Sequence, residues 1–193
     1  MTGEPGDPPA AVDPRTRRTR ARLRAALLAE CELRPLDEVS LSALARRAGV
    51  GRATFYLHYD GLRALAVDAC ADVVRDGVDA LHAWTGSPSP DMPPAPLVDF
   101  LTAVHRRAGL YRALLPDGGG GPLGTLLHRE LRERSYAERV RAGAPRPELA
   151  ASAVAAAFTG LLADWIHGQV PLAPEDFAEQ VWRLLLAVHR TVR

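Results

Sequence analysis

The stretch from Ser40 to Tyr59, SLSALARRAGVGRATFYLHY, holds two short helical patterns separated by a single glycine. Ser40 is placed to cap the first helix, since its hydroxyl can accept from a free backbone N–H of the first turn. Leu41, Leu44, Ala45 and Ala48 then recur at helical spacing and define a buried face. Gly49 supplies the left-handed residue that ends a helix tightly, with Val50 packed beneath it. A second helix is expected from about Gly51 to Leu57. Two short helices joined by so tight a turn form a helix-turn-helix.

In that motif the second helix carries its leading side chains to base edges in a DNA major groove. The leading residues here are Arg52, Ala53 and Thr54. An arginine can donate two parallel bonds to guanine O6 and N7, and a threonine meets a phosphate or a thymine methyl. Ala53 keeps the backbone close. Tyr56 and His58 are spaced to reach phosphates, while Phe55 and Tyr59 fall on the inward face. Ser40 and Ser42, opening the bracing helix, suit phosphate contact and leave base contact open, through hydroxyl or backbone N–H. Just upstream, Arg15 to Arg24 is an arginine-rich helix; Arg15, Arg17 and Arg18 are its candidate DNA contacts.

The charge distribution agrees. Net charge over 193 residues is only +1. Residues 15–59 nevertheless hold ten arginines against four acids, a local +6, whereas residues 60–193 come to −2 and the first fourteen to −3. That asymmetry points to a polyanionic partner for the N-terminal part. All 24 basic residues are arginine; with abundant Ala, Pro and Gly this reflects GC-rich coding, so arginine count alone carries no functional weight.

Hydrophobic residues make up 47% of the chain, enough for a substantial core. Residues 1–12 lack periodicity and are expected to be a disordered tail. From Asp13-Pro14 a helix runs through Leu23, Leu27, Leu28 and Cys31 to before Pro35. Asp60 is expected to cap a long fourth helix reaching toward Trp84. Thr85–Pro96 is a proline-rich break and linker. Helices are expected near Leu97–Arg107, Leu110–Leu115, Pro122–Arg141, Pro147–His167 and Pro174–Val192, with a flexible loop over Asp117–Gly121. No strand-period segment competes, so the fold is all-α with about nine helices.

Residues 15–84 resemble the DNA-binding domain of TetR-family transcriptional regulators. The resemblance rests on Ser40-Leu41-Ser42-Ala43-Leu44-Ala45, Ala48-Gly49-Val50 and Ala53-Thr54-Phe55-Tyr56-Leu57-His58-Tyr59. It implies an N-terminal three-helix DNA-binding domain over 13–60, with the motif at 40–59, and a helical effector-binding and dimerisation domain over 61–193. It also implies a homodimer on a palindromic double-stranded DNA operator, repressing transcription and answering a small-molecule effector of unknown identity. Its recognition-helix Thr, Tyr and His positions map onto Thr54, Tyr56 and His58. Such proteins open the fourth helix with a polar-Lys-Glu run whose lysine binds phosphate; this chain has Asp60-Gly61-Leu62-Arg63. Leu62 cannot make that contact, and Arg63 is its nearest substitute.

Within the C-terminal part, Trp84, Phe100, His105, Tyr111, Tyr136, Phe158 and Trp165 are the candidate lining of an apolar pocket. The small-residue run at Ala153, Ala156, Ala157 and Gly160, with Phe177, Val181, Leu184, Leu185 and Val188, is the candidate dimer interface. Neither the histidines nor Cys31 and Cys70 have metal-ligand spacing, and no nucleophile motif is present. No metal, cofactor or enzymatic activity is therefore expected. The N-terminus has no apolar leader, and no segment reaches the ~18 apolar residues of a membrane span. A cytoplasmic protein is expected. Other classes stay open: a helical enzyme with a vestigial N-terminal domain, an interaction protein that dimerises without an effector, or an activator.

Overall fold

In the computed structural model, which describes residues 13–87 and 89–191, nine α-helices follow one another with two 3-10 turns between them. They are α1 (Pro14–Cys31), α2 (Leu41–Ala48), α3 (Arg52–Tyr56), α4 (Leu62–Ala83), α5 (Ala95–Arg106), α6 (Ala108–Leu114), α7 (Gly121–Arg141), α8 (Pro147–Ile166) and α9 (Pro174–Thr191). The expected tail over residues 1–12 lies outside the described residues.

Local chemistry explains the start of α1 and both ends of α2. Asp13 caps α1 by accepting from the Arg15 N–H at 3.0 Å, ahead of a first-turn proline. Ser40 accepts from the Ala43 N–H at 3.5 Å at the start of α2. Gly49 closes that helix at φ 63°, ψ 40°, the left-handed conformation that costs a side-chain-bearing residue most. The fourth helix differs from expectation. It begins at Leu62 after extended Gly61, and no side chain caps it, so Asp60 does not serve as the cap.

One apolar core runs from Leu23 of α1 through Phe55, Leu65, Leu101, Tyr111 and Phe158 to Val181 of α9. α4 is the shared wall: α1 packs on it at one end, α5 and α7 along the rest. α8 is apolar and long enough to cross a membrane by length and composition, but half of it is buried as the central core helix.

The glycine run after Leu115 is not the flexible loop its composition suggests. Asp117–Gly119 forms a 3-10 turn laid against α8. A Cβ on Gly119 would stand 3.1 Å from the Thr159 carbonyl, and one on Gly124 would stand 1.9 Å from the Gly119 carbonyl. Glycine is required there for close backbone approach, not for mobility.

Candidate nucleic-acid interface and cavity

α1 is the scaffold of the helix-turn-helix, and its arginines divide by helix face. Arg15, Arg18 and Arg22 follow one another at i, i+3 and i+7 and share a side of the helix. Arg22 donates to the Gly49 carbonyl at 3.0 Å, pinning the turn between α2 and α3. Arg17, Arg20 and Arg24 occupy the opposite side by the same spacing. Arg24 pairs with Asp68 at 3.0 Å and Asp72 at 2.8 Å on α4. The Arg20 guanidinium lies 5.1 Å from the centre of the Tyr59 ring.

Tyr59 completes this clamp. It is buried, and its hydroxyl donates to the Asp68 carboxylate. Burial, together with that carboxylate, pushes the phenol up to about 12. Burial would raise the Asp68 carboxyl, but the Tyr59 and Arg24 hydrogen bonds outweigh it and hold the group below its ordinary value. Phe55, fully buried, lies edge-on to Tyr56 at 5.4 Å and tilted against Tyr59 at 6.0 Å. Arg47 of α2 pairs with Glu30 of α1 at 3.0 Å. The recognition segment is thus held from beneath by packing and from both flanks by ion pairs.

What remains outward is polar and basic. Ser40, Ser42, Arg52 and Ala53 are exposed, Thr54 and His58 are half-buried, and Tyr56 is 53% exposed. Among the described residues, Arg15, Arg17, Arg18, Arg46, Arg52 and Arg63 are exposed, and no acid lies within ion-pair distance of them. Arg46 was not singled out from sequence. Its place on the exposed side of α2, three residues before Gly49, is the signal that would have found it. Leu57, 82% exposed beside Tyr56, is a second residue the periodicity did not flag. Leu62 is half-buried and packs against the core.

In the C-terminal part a cavity of about 610 Å³ lies between α4, α5, α7, α8 and α9. Trp84, Phe100 and Phe158 line it, as does Gly77 of α4, where a Cβ would stand 2.6 Å from the Phe100 ring. The other four candidates lie elsewhere. Tyr111 is buried in the core near Cys70 and does not line this cavity. Tyr136 is 42% exposed on α7 and does not line the cavity. His105 lies tilted at 5.4 Å against Trp165, which stacks on Phe177 at 4.5 Å and donates to the Leu172 carbonyl at 2.9 Å, closing the α8–α9 corner.

The cavity's polar lining was missed from sequence: His82, Ser135, Glu138 and Arg139. The signal lay in α7, where Leu123, Leu127, Leu131, Ser135 and Arg139 recur every fourth residue. That stripe starts as core and ends in an arginine at a core position. Trp182 of α9 also lines the wall, donating to the Ser89 carbonyl at 2.8 Å and meeting Trp84 edge-on at 6.2 Å.

The candidate dimer residues divide likewise. Phe177 and Val181 are buried within the chain, 2% and 1% exposed, because α9 folds onto α8 and α5 through them. They are therefore not available to a second copy. Ala156 and Leu184 are exposed, while Ala153, Ala157, Gly160, Leu185 and Val188 are half-buried. A Cβ on Gly160 would meet nothing within 4 Å.

A corner residue ties the two parts. Arg107, between α5 and α6, donates to the Leu28 carbonyl at 3.3 Å and the Ala103 carbonyl at 3.2 Å, and pairs with Glu32 past the end of α1. Cys31 and Cys70 are buried free thiols; burial pushes them up to about 11 and about 12, so both stay protonated and inert at neutral pH. No cluster of three or more metal-ligand residues occurs among the described residues.

Residues 23–69 match the family model of bacterial regulatory proteins, tetR family, covering the helix-turn-helix and the start of α4. No curated protein sequence matches significantly. Among solved structures, a TetR transcriptional regulator from Rhodococcus sp. RHA1 superposes with TM-score 0.62 at 18% identity, over 90% of this chain and 97% of that one. A tetR-family regulator from Streptomyces coelicolor gives 0.58 at 19%, over 91% and 82%. RolR, solved in complex with its ligand resorcinol, gives 0.59 at 19%, over 92% and 89%. At these identities the likeness is one of fold.

Proposed function

We propose that this chain, whose residues 23–69 match the tetR-family model and whose fold is that of TetR regulators, is a non-enzymatic, DNA-binding, ligand-responsive repressor. In this reading it works in the bacterial cytoplasm as a homodimer on a palindromic operator. Residues 13–60 bind DNA and residues 61–193 sense and dimerise. Arg52 and Thr54 read bases; Ser40, Ser42, Tyr56 and His58 hold phosphates. Ala53 admits the backbone, and Arg15 and Arg18 extend the basic face on the Gly49 side of α1. Arg17 contributes from the other side, aligned with the Arg20 and Arg24 clamp.

The observation that carries the ligand-responsive part is the double duty of α4. Its Asp68 and Asp72 hold α1, and its Gly77, Val78, Leu81 and His82 line the cavity. Nine residues of helix, about 13 Å, separate the two ends. A ligand that displaces the cavity end tilts a rigid rod whose other end carries the recognition unit. In a two-fold dimer the half-site separation then leaves the roughly 34 Å spacing of adjacent major grooves. The exposed apolar face of α8 and α9, with open space at Gly160, is where a second copy packs. That RolR binds resorcinol in the same fold supports a small organic effector here.

Selection of bound sites from random duplex DNA tests the reading. The expected product is an inverted repeat with its half-sites one helical turn apart, bound by a dimer. Recovery of no sequence preference at low salt would overturn it.

A further inference from the structure

Arg139 is out of place for a surface-type residue. It sits 6% exposed at the end of the leucine stripe of α7 and lines the cavity. Its Nε donates to Ser135 Oγ at 3.2 Å, and no carboxylate lies within ion-pair distance among the described residues. Other arginines withdrawn from solvent on this scaffold have partners: Arg24 pairs with Asp68 and Asp72, Arg107 with Glu32, and Arg20 lies over the Tyr59 ring. An unpaired buried cation is costly, so its retention calls for a partner. The C-terminal helix dipole does not supply one. The Arg139 side chain runs back toward Ser135, away from the last carbonyls of α7.

The surroundings specify the partner's charge and shape. Burial lowers the Arg139 guanidinium below its ordinary value, with Glu138 acting against the shift, and the group stays cationic at neutral pH. Glu138, half exposed, faces His82 at 3.7 Å, and His82 bonds the Val78 carbonyl through Nδ1 at 2.7 Å. A single guanidinium, with the half-exposed Glu138 carboxylate next to it in sequence, matches one negative charge better than two. The two terminal nitrogens match a carboxylate as a fork. Away from this corner the walls are Leu127, Leu131, Phe100, Phe158 and Trp182. About 610 Å³ is within the range for a drug-sized ligand.

We propose that this cavity takes an amphiphilic monocarboxylate, its apolar body among the leucines and aromatics and its carboxylate on the Arg139 guanidinium. The inference rests on the reading of the cavity as the effector site and names the ligand class.

Intrinsic fluorescence provides the test, since Trp84 and Trp182 face the cavity. The full chain is titrated at neutral pH with decanoate and phenylbutyrate, and with decanol and phenylbutanol as uncharged counterparts. The acids are expected to bind roughly tenfold or more tightly than the alcohols. Arg139→Met should erase that preference, and Arg139→Lys should keep part of it. Leu131→Trp, which fills the cavity, should remove acid and alcohol binding together. Equal binding of acid and alcohol, abolished by Leu131→Trp, would overturn the carboxylate proposal and leave the effector reading intact. An acid preference that persists in Arg139→Met would also overturn it. If the preference holds but bound decanoate leaves operator affinity unchanged, the anion site stands and the effector reading falls. No binding of any probe overturns both.

Discussion

Arg22 and Arg52 flank the same turn and have opposite assignments. Arg22 is spent on the Gly49 carbonyl, whereas Arg52 is exposed with no ion-pair partner at the head of α3. In the proposed interface Arg52→Ala relaxes preference at one position of each half-site by about 1–3 kcal/mol, read in a site selection. Tyr56→Phe weakens binding evenly across sequences; a loss confined to particular sequences would contradict a phosphate role. Asp68 matters to stability. Asp68→Ala strands the Tyr59 hydroxyl and leaves Arg24 with Asp72 alone, and should cost about 2 kcal/mol in urea unfolding. Because the folded chain holds this carboxyl low, its contribution is fully present above the ordinary value of 3.8 and lost as pH falls through the lower folded value. An acid unfolding midpoint that Asp68→Asn leaves unmoved would contradict this.

At the scale of elements, α4 is held by side chains that no local pattern could pair. Gly77 in mid-helix reads as a weak point, since glycine costs a helix about 1 kcal/mol against alanine. Its absent side chain is what lets the Phe100 ring of α5 lie against α4. Gly77→Ala should therefore lose about 1 kcal/mol net, overlap outweighing the propensity gain. A variant stabilised by the full helix propensity would show the ring moves freely. The α5–α6 corner offers a separate test of coupling. Arg107→Ala frees the end of α1 from that corner. In the proposed mechanism it should leave operator affinity nearly unchanged and blunt the release caused by effector. Equal release in variant and parent would place the coupling in α4 alone.

For the whole molecule, the relevant quantities are assembly and charge. Leu184 is 51% exposed on the α8–α9 face, so Leu184→Arg should yield a folded monomer by sedimentation, with operator affinity lost. A dimer that persists would place the interface elsewhere. Salt dependence reports phosphate contacts at about one unit of slope each. With an apolar Leu62 packed against the core in place of the lysine that the family resemblance implies, the slope should be shallower than in relatives that keep that lysine. A slope as steep as theirs would mean that another of the exposed arginines, such as Arg46 or Arg63, takes over the contact.

The sequence by itself determined the helices and the helix-turn-helix, because these depend on contacts within a turn or two. Apolar residues at helical spacing, Asp13 and Ser40 as caps, and Gly49 as a left-handed stop act locally, and so are legible in one dimension. It also marked Phe55 and Tyr59 as inward-facing. Only the tertiary structure decided which arginines are spent and which are spare, since Arg24 finds Asp68 forty-four residues away and Arg107 finds Leu28 seventy-nine away. The same holds for the cavity. Aromatic residues look alike in sequence, but Trp165 and Tyr111 serve the core alone while Phe100 and Phe158 also line the cavity. Burial is settled by what another helix brings. Arg139 joins the two levels: its register was readable along α7, and its lack of a carboxylate partner became visible only once the surrounding helices were in place.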